Sequence, residues 1–75
     1  MIIAKNKNLL ELGNKIRLER MKRAMSQEKL AELANVSIRT ISDIERGLTD
    51  IRYTNLLQIA TAFNLPLSEM VDFKF

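Results

Sequence analysis

Seventy-five residues with 47% hydrophobic content predict one small folded domain, and the formal net charge is +3. The chain has no cysteine and no histidine, which excludes disulfides, thiolate metal sites and an imidazole base. It also lacks a Gly-rich phosphate loop and the mass to build a catalytic cleft, so we expect no enzyme, cofactor, metal or small-molecule ligand. No apolar run approaches the ~18 residues of a membrane span, and no signal-peptide pattern is present. We therefore expect a cytoplasmic protein that does not contact a membrane.

The N-terminal third is basic and should form a short arm followed by a helix. Residues 1–25 carry seven basic and two acidic residues. We expect the arm over residues 1–8, the folded domain over residues 9–75, and a first helix from Leu9 to Ala24. Its charged face would present Lys15, Arg17, Lys22 and Arg23, and its core-facing residues would be Leu9, Leu12 and Ile16, followed by Met25. Such a face favours phosphate backbones but is also commonly just solvated, so charge alone leaves both interpretations open.

Residues 27–46, QEKLAELANVSIRTISDIER, predict two short helices joined by a tight turn. The small Ala31 allows the helices to cross closely, and Asn35 tolerates the positive φ that the turn requires. Ser26 and Ser37 are typical N-cap residues, and Gly47 ends the second helix of the pair. This pattern is typical of a helix-turn-helix.

The rest of the chain predicts a fourth helix from Tyr53 to Phe63 and a short fifth helix from Leu67 to Val71, separated by Asn64 and Pro66. The fold class is therefore all-α, with five helices. We expect a core formed by Ile16, Leu30, Ala31, Val36, Ile41, Ile44, Leu56, Ile59, Ala60 and Phe63.

From Ile16 to Val71 the chain resembles the lambda-repressor-like (XRE, Cro-type) DNA-binding family. The resemblance lies in three blocks, MSQEKLA, ISDIERG and LLQIATAFNLPLSEM. It implies a five-helix transcriptional regulator similar to the controller proteins of restriction–modification systems and to small phage-type repressors. The chain departs from the family pattern at Asn35, which replaces a glycine, and in the loop LTDIRY, which lacks the usual proline. Glu19 stands beside Leu18 where the family often has leucine, which predicts a slightly rotated first helix.

The resemblance also implies the residues that contact double-stranded DNA. Gln27 would bond a phosphate and brace the third helix, whose first turn enters the major groove. There Arg39 could bind guanine, and Ile38 could pack on a thymine methyl group. The candidate DNA-binding residues are Gln27, Ser37, Ile38, Arg39, Thr40, Ser42, Asp43, Arg46 and Arg52, with Thr49 in the same loop as Arg52. Together with the helix-turn-helix, the basic first helix is expected to hold further phosphates. For Asp43 two roles stay open, accepting from cytosine or orienting Arg39 or Arg46.

Two further implications concern helix placement and assembly. Arg20 and Glu45 align with a structural ion pair between the first and third helices. We expect a homodimer that reads a pseudo-palindromic operator. Its candidate interface in the C-terminal third is Ile51, Tyr53, Leu67, Met70, Val71, Phe73 and Phe75. The alternatives are that Phe73 and Phe75 complete the monomer core, and that the fold serves as an antitoxin or antirepressor that binds a protein.

Overall fold

The computed structural model describes residues 7–71, and these form five α-helices without a strand. The helices are α1 (Lys7–Lys22), α2 (Gln27–Ala34), α3 (Ile38–Glu45), α4 (Tyr53–Ala62) and α5 (Leu67–Met70). Helix α2 packs against α3 and α4, while α1 packs against α3 and α5. None of the helices in residues 7–71 is long and apolar enough to cross a bilayer.

The first helix is shifted by two residues towards the N-terminus relative to the predicted range, Leu9 to Ala24. It begins at Lys7, so Lys7 and Asn8 are helical rather than part of an arm. It ends at Lys22 because Ala24 adopts a left-handed conformation with φ of 52°. The amide of the next residue, Met25, then donates to the carbonyl of Arg20 (3.1 Å).

The helix caps of the central pair are formed as the sequence predicts. The Ser26 hydroxyl accepts from the amide of Lys29 (2.9 Å), and the Ser37 hydroxyl accepts from the amide of Thr40 (3.0 Å). Asn35 lies in the turn with φ of 59°. Gly47, with φ of +70°, follows the last residue of α3 and its cap. The two helices are therefore delimited by local hydrogen bonds and backbone conformation that the sequence encodes directly.

The core confirms nine of the ten predicted residues, and the tenth, Val36, is partly buried against it. Two predictions at its margins need correction. Leu9 is only partly buried and is not part of the core, whereas Leu12 is in the core and Met25, like Val36, packs against it. Met70, which we expected on a dimer surface, is completely buried because α5 folds back against α4 and α1. The full cluster is Leu12, Ile16, Leu30, Ala31, Ala34, Ile41, Ile44, Leu56, Ile59, Ala60, Phe63 and Met70.

Helix α1 approaches the end of α3 at Gly13. A Cβ atom at this position would lie far inside van der Waals contact with the carbonyl oxygen of Ile44, and 2.9 Å from that of Glu45. Because both neighbours are backbone atoms, they cannot rotate away as a side chain would. Glycine therefore sets the distance between α1 and the C-terminal end of α3.

The expected rotation of α1 is wrong, since Leu18 is 54% exposed and Glu19 occupies the buried position. Three cations surround the Glu19 carboxylate: Arg23 Nη1 at 2.8 Å, Lys15 Nζ at 2.9 Å and Lys22 Nζ at 3.2 Å. Hydrogen bonds from Arg23, and then from Lys15, lower the pKa of Glu19 from 4.5 to about 2 against the opposing effect of burial. A buried carboxylate is thus tolerated because it is paired.

This cluster changes the interpretation of the basic first helix. Arg23 also donates to the carbonyl of Phe63 (2.9 Å) and lies 4.8 Å from the centroid of its ring. It therefore joins α1 to the residue that caps α4. Three of the four predicted basic residues are engaged with Glu19, and Arg17 donates to Asn14 (3.1 Å). Much of this positive charge stabilises the fold, so the phosphate-binding interpretation of α1 loses its main support.

Candidate nucleic-acid interface

The C-terminal end of α3 is fixed by a partly buried hydrogen-bond network centred on Glu45. Arg20 grips this carboxylate through two bonds, from Nε to Oε2 (2.7 Å) and from Nη2 to Oε1 (3.0 Å). Arg20 Nη1 also donates to the carbonyl of Met25 (2.8 Å). These bonds with Glu45 raise the pKa of Arg20 above its ordinary value. The predicted ion pair is therefore present, and its bidentate geometry fixes the orientation of α3 relative to α1.

Gln27, the first residue of α2, is part of the same network. Its Nε2 donates to Glu45 Oε1 (3.1 Å). A carboxylate only accepts hydrogen bonds, so the amide nitrogen rather than the oxygen must face Glu45. That bond occupies one of the two Nε2 protons. The side chain can therefore brace α3 and still donate to a second acceptor.

The N-terminal turn of α3 presents an exposed surface. Ile38 is half exposed, and the Arg39 side chain is 89% exposed. The hydroxyls of Ser37 and Thr40 bond each other (2.8 Å). Behind this surface, Ile41 and Ile44 are buried and anchor the helix to the core. Nothing in the core requires an isoleucine to point outward at position 38, which makes its exposure a candidate functional feature.

A cleft of about 200 Å³ lies between α3 and the start of α4. It brings four of the sequence-predicted residues together, namely Thr40, Asp43, Thr49 and Arg52, and is completed by Ile44, Asp50, Ile51 and Asn55. Arg52 is the N-cap residue of α4 but makes no side-chain capping bond, so the first amides of that helix have no side-chain acceptor from it. Free amides, the helix dipole and an arginine favour an anion such as a phosphate oxygen, whereas the carboxylates of Asp43 and Asp50 in the same lining oppose one.

Asp50 and Asn55 were not among the predicted site residues. Neither belongs to the central helix pair, and the loop after α3 must fold back before they meet Thr40. Their place in the cleft is a tertiary feature without a signal in the sequence. Conversely, Ser42 is only partly buried on α3 and lines no part of the cleft.

Asp43 occupies the middle of the α3 surface and is within reach of two arginines. Its Oδ1 accepts from Arg46 Nη2 (2.9 Å), and its Oδ2 lies 3.8 Å from Arg39 Nε. Of the roles left open by the sequence, contact with the arginines is the one for which the geometry provides partners.

Comparison with known proteins agrees with this geometry. The helix-turn-helix family model HTH_3 matches residues 16–70. The control protein C.BamHI of Bacillus amyloliquefaciens is 37% identical over 65 residues, which are 85% of this chain and 80% of that protein. An uncharacterized HTH-type transcriptional regulator of Sinorhizobium medicae is 34% identical over 59 residues. Those residues are 79% of this chain, which spans only 42% of the length of that regulator.

The solved structures that share the fold include a controller protein and a repressor. The restriction–modification controller protein C.AhdI from Aeromonas hydrophila superposes with a TM-score of 0.85 at 29% identity, covering 87% of this chain and 98% of that one. The P22 c2 repressor in complex with synthetic operator 9T gives a TM-score of 0.75 at 30% identity, covering 81% and 92%. The five-helix, lambda-repressor-like fold predicted from the sequence is therefore confirmed.

By class, the fold and the family match are those of DNA-binding transcriptional regulators. Specifically, the chain belongs to the HTH_3 (XRE-type) helix-turn-helix family, whose members similar to it include restriction–modification controller proteins. The resemblance inferred from the three sequence blocks is thus confirmed.

Proposed function

We propose that this protein binds double-stranded DNA in a sequence-specific manner as a homodimer and regulates transcription, with α3 in the major groove. The observation that carries the proposal is that the first turn of α3 is exposed while the C-terminal end of the helix is held in place. There Glu45 accepts hydrogen bonds from Arg20 and Gln27. A helix that reads bases must leave its base-contacting side chains free while the helix itself is held in a fixed orientation. Such a regulator would act in the cytoplasm.

Base selection would come from the N-terminal turn of α3. Arg39 is long, exposed and suited to guanine O6 and N7. Ile38 offers an apolar contact for a thymine methyl group, while Ser37, Thr40 and Ser42 supply short polar groups. The P22 c2 repressor, similar in fold, is seen with a synthetic operator, and this supports the same use of the surface here.

Phosphate contacts would surround that reading surface and set its register. The second proton of Gln27 Nε2, the 62%-exposed Arg46 side chain and the cleft with Thr49 and Arg52 are the candidates. We do not include the cluster around Glu19, because its cations are already paired.

A homodimer is expected because one recognition helix contacts too few base pairs to select a single operator. One helix covers only a few base pairs, whereas two helices about 34–36 Å apart can read both halves of a palindrome. Of the predicted interface, Tyr53 and Val71 are exposed, and Ile51 and Leu67 are partly buried against the core. Phe73 and Phe75 lie outside the described residues. Leu57, one helical turn after Tyr53, adds a further exposed apolar group.

The DNA-binding part is tested by selecting duplexes from a random library and measuring their affinity at several salt concentrations. Affinity for the selected duplex should fall steeply with salt, because bound phosphates release counterions. Arg39→Ala should lose roughly 1–3 kcal/mol and relax selectivity at one base pair per half-site. Gln27→Ala should weaken all sequences more evenly.

Lys22→Ala is the matched control, because it removes one positive charge that faces Glu19 rather than α3. It should change affinity far less than Arg39→Ala. If Arg39→Ala and Gln27→Ala both bind the selected duplex like wild type, the reading surface is misplaced. Sedimentation at micromolar concentration tests the dimer, and a protein that stays monomeric even on DNA would contradict that part of the proposal.

A further inference from the structure

Asp43 is an acidic residue on the surface that we expect to face DNA, where phosphates would repel it. It is three residues before Arg46 and four after Arg39, so both arginines are its neighbours on the helix surface. Each of its carboxylate oxygens forms an ion pair with one of them: Oδ1 lies 2.9 Å from Arg46 Nη2, and Oδ2 lies 3.8 Å from Arg39 Nε. One carboxylate therefore lies between a candidate base-reading arginine and a candidate phosphate-binding arginine.

Resting on the proposed DNA-binding function, we propose that Asp43 is a positioning residue: it aims Arg39 at guanine and restrains indiscriminate phosphate binding by Arg46. An arginine can bind guanine either through its two terminal nitrogens or through Nε and one of them. A carboxylate at Nε removes the second option. The two terminal nitrogens are then left to meet O6 and N7 along one direction.

This positioning tightens in the complex rather than in the free protein. At 3.8 Å the contact between Arg39 and Asp43 is an ion pair too long for a hydrogen bond, and water reaches the exposed guanidinium. A duplex seated on α3 excludes that water and lowers the local dielectric constant, which strengthens the attraction. The pair is therefore close enough to form when the groove is occupied.

The same carboxylate affects binding to unrelated DNA through its charge. Arg39, Arg46 and Arg52 lie on or beside the α3 surface, and Asp43 offsets part of their attraction for any phosphate. On an operator, the repulsion is offset by the better aim of Arg39. On unrelated DNA nothing offsets it. Asp43 should therefore widen the difference between the two affinities.

Asp43→Asn tests the inference, because it removes the charge with almost no change of shape. The probes are the duplex selected by wild type and a shuffled duplex of equal length. Affinity for the shuffled duplex should rise about fivefold, because this is the effect of removing the repulsion between two unit charges ~4 Å apart in water. The ratio of the two affinities should fall by roughly tenfold, because the aim of Arg39 is lost as well. The relaxed base pair should be the one that Arg39→Ala identifies, and the double variant should be no less selective than Arg39→Ala alone.

Two controls separate positioning from other effects. Asp50→Asn removes an exposed carboxylate of the same cleft that forms no ion pair among the described residues. It should raise the affinity for both duplexes by a similar factor and leave the ratio of the two affinities unchanged. Asp43→Glu keeps the charge and should retain the low affinity for the shuffled duplex. Unfolding midpoints of all these variants should match wild type, because Asp43 is not part of the core.

Two results would overturn the inference. Relaxed selectivity at a different base pair would show that Asp43 reads a base itself. Equal falls in the ratio of the two affinities for Asp43→Asn and Asp50→Asn would show a general charge effect. In either case wild type would still select its duplex, and the proposed function would stand. Failure of wild type to select any duplex would remove the proposed function and this inference together.

Discussion

Replacing Gly13 with alanine should destabilise the protein, although a change from glycine to alanine is stabilising at most exposed positions within helices. In a helix interior, alanine is favoured over glycine by about 1 kcal/mol. Here the new methyl group would clash with the carbonyl of Ile44 and lie 2.9 Å from that of Glu45. Overpacking of this kind costs ~1–3 kcal/mol, and the upper end applies because backbone atoms cannot rotate away. The net expectation is a loss of about 2 kcal/mol.

That loss is easily measured in a domain of this size. Unfolding free energies of about 4–11 kcal/mol are typical for a chain of 75 residues, and 2 kcal/mol corresponds to a fall of roughly 10–15 °C in Tm. Urea and thermal unfolding of Gly13→Ala give both quantities. Asn14→Ala is the matched control, since it raises helix propensity at the neighbouring exposed position and loses only a surface hydrogen bond with Arg17.

The consequence should extend to DNA binding, because Gly13 sets the distance between α1 and the end of α3, the proposed reading helix. Gly13→Ala should weaken binding to the selected duplex even where the protein remains folded. A variant more stable than wild type, as helix propensity alone predicts, would refute the close approach of α1 and α3.

Three further predictions concern the core, the clamp and the acid response. Ala31→Leu should overpack the crossing of α2 and lower stability by ~1–3 kcal/mol in urea unfolding; a stability equal to wild type would end that assignment. Glu45→Gln should cost ~3–5 kcal/mol, since it strands the partly buried Arg20, and should weaken DNA binding; an unchanged unfolding midpoint would contradict the clamp. The lowered pKa of Glu19 stabilises the fold above pH 4.5, and this contribution should be lost as pH falls from 4.5 to about 2. Without solvent screening, the pKa shift would contribute about 3 kcal/mol to the free energy of unfolding. Screening at the solvent-facing Lys22 reduces this contribution to about 1–2 kcal/mol. Glu19→Gln should flatten the acid limb of the stability profile relative to Glu28→Gln, and identical limbs would be inconsistent with the pairing.

The helices and most of the core could be predicted because their signals are local. A serine that caps a helix, an asparagine at positive φ and an apolar residue every third or fourth position each act within one or two turns of chain. The pairing of Arg20 with Glu45 is a contact across 25 residues, and only the family resemblance suggested it.

The features that sequence reasoning missed depend on which elements meet in space. The charge pattern of α1 suggested a phosphate-binding face because the burial of Glu19 is a tertiary feature. The spacing of its three cations, four residues before it and three and four after it, is by contrast a local pattern. Met70 was expected at the surface because the path of α5 beneath α4 is a tertiary property. For the same reason the role of Gly13 could not be predicted. From the sequence, a glycine within a helix indicates only low helix propensity, and the backbone that packs against it is seen only in the folded structure.

The most direct measurement is methylation interference on the duplex that wild type selects, because methylation of guanine N7 blocks a major-groove contact. With α3 in the groove, binding should be lost when guanines are methylated in two clusters one helical turn apart, about 34–36 Å. In Arg39→Ala, interference should disappear at one guanine in each cluster while the others remain. Binding that is insensitive to N7 methylation, or an identical pattern for wild type and Arg39→Ala, would contradict the proposal that α3 reads DNA through Arg39.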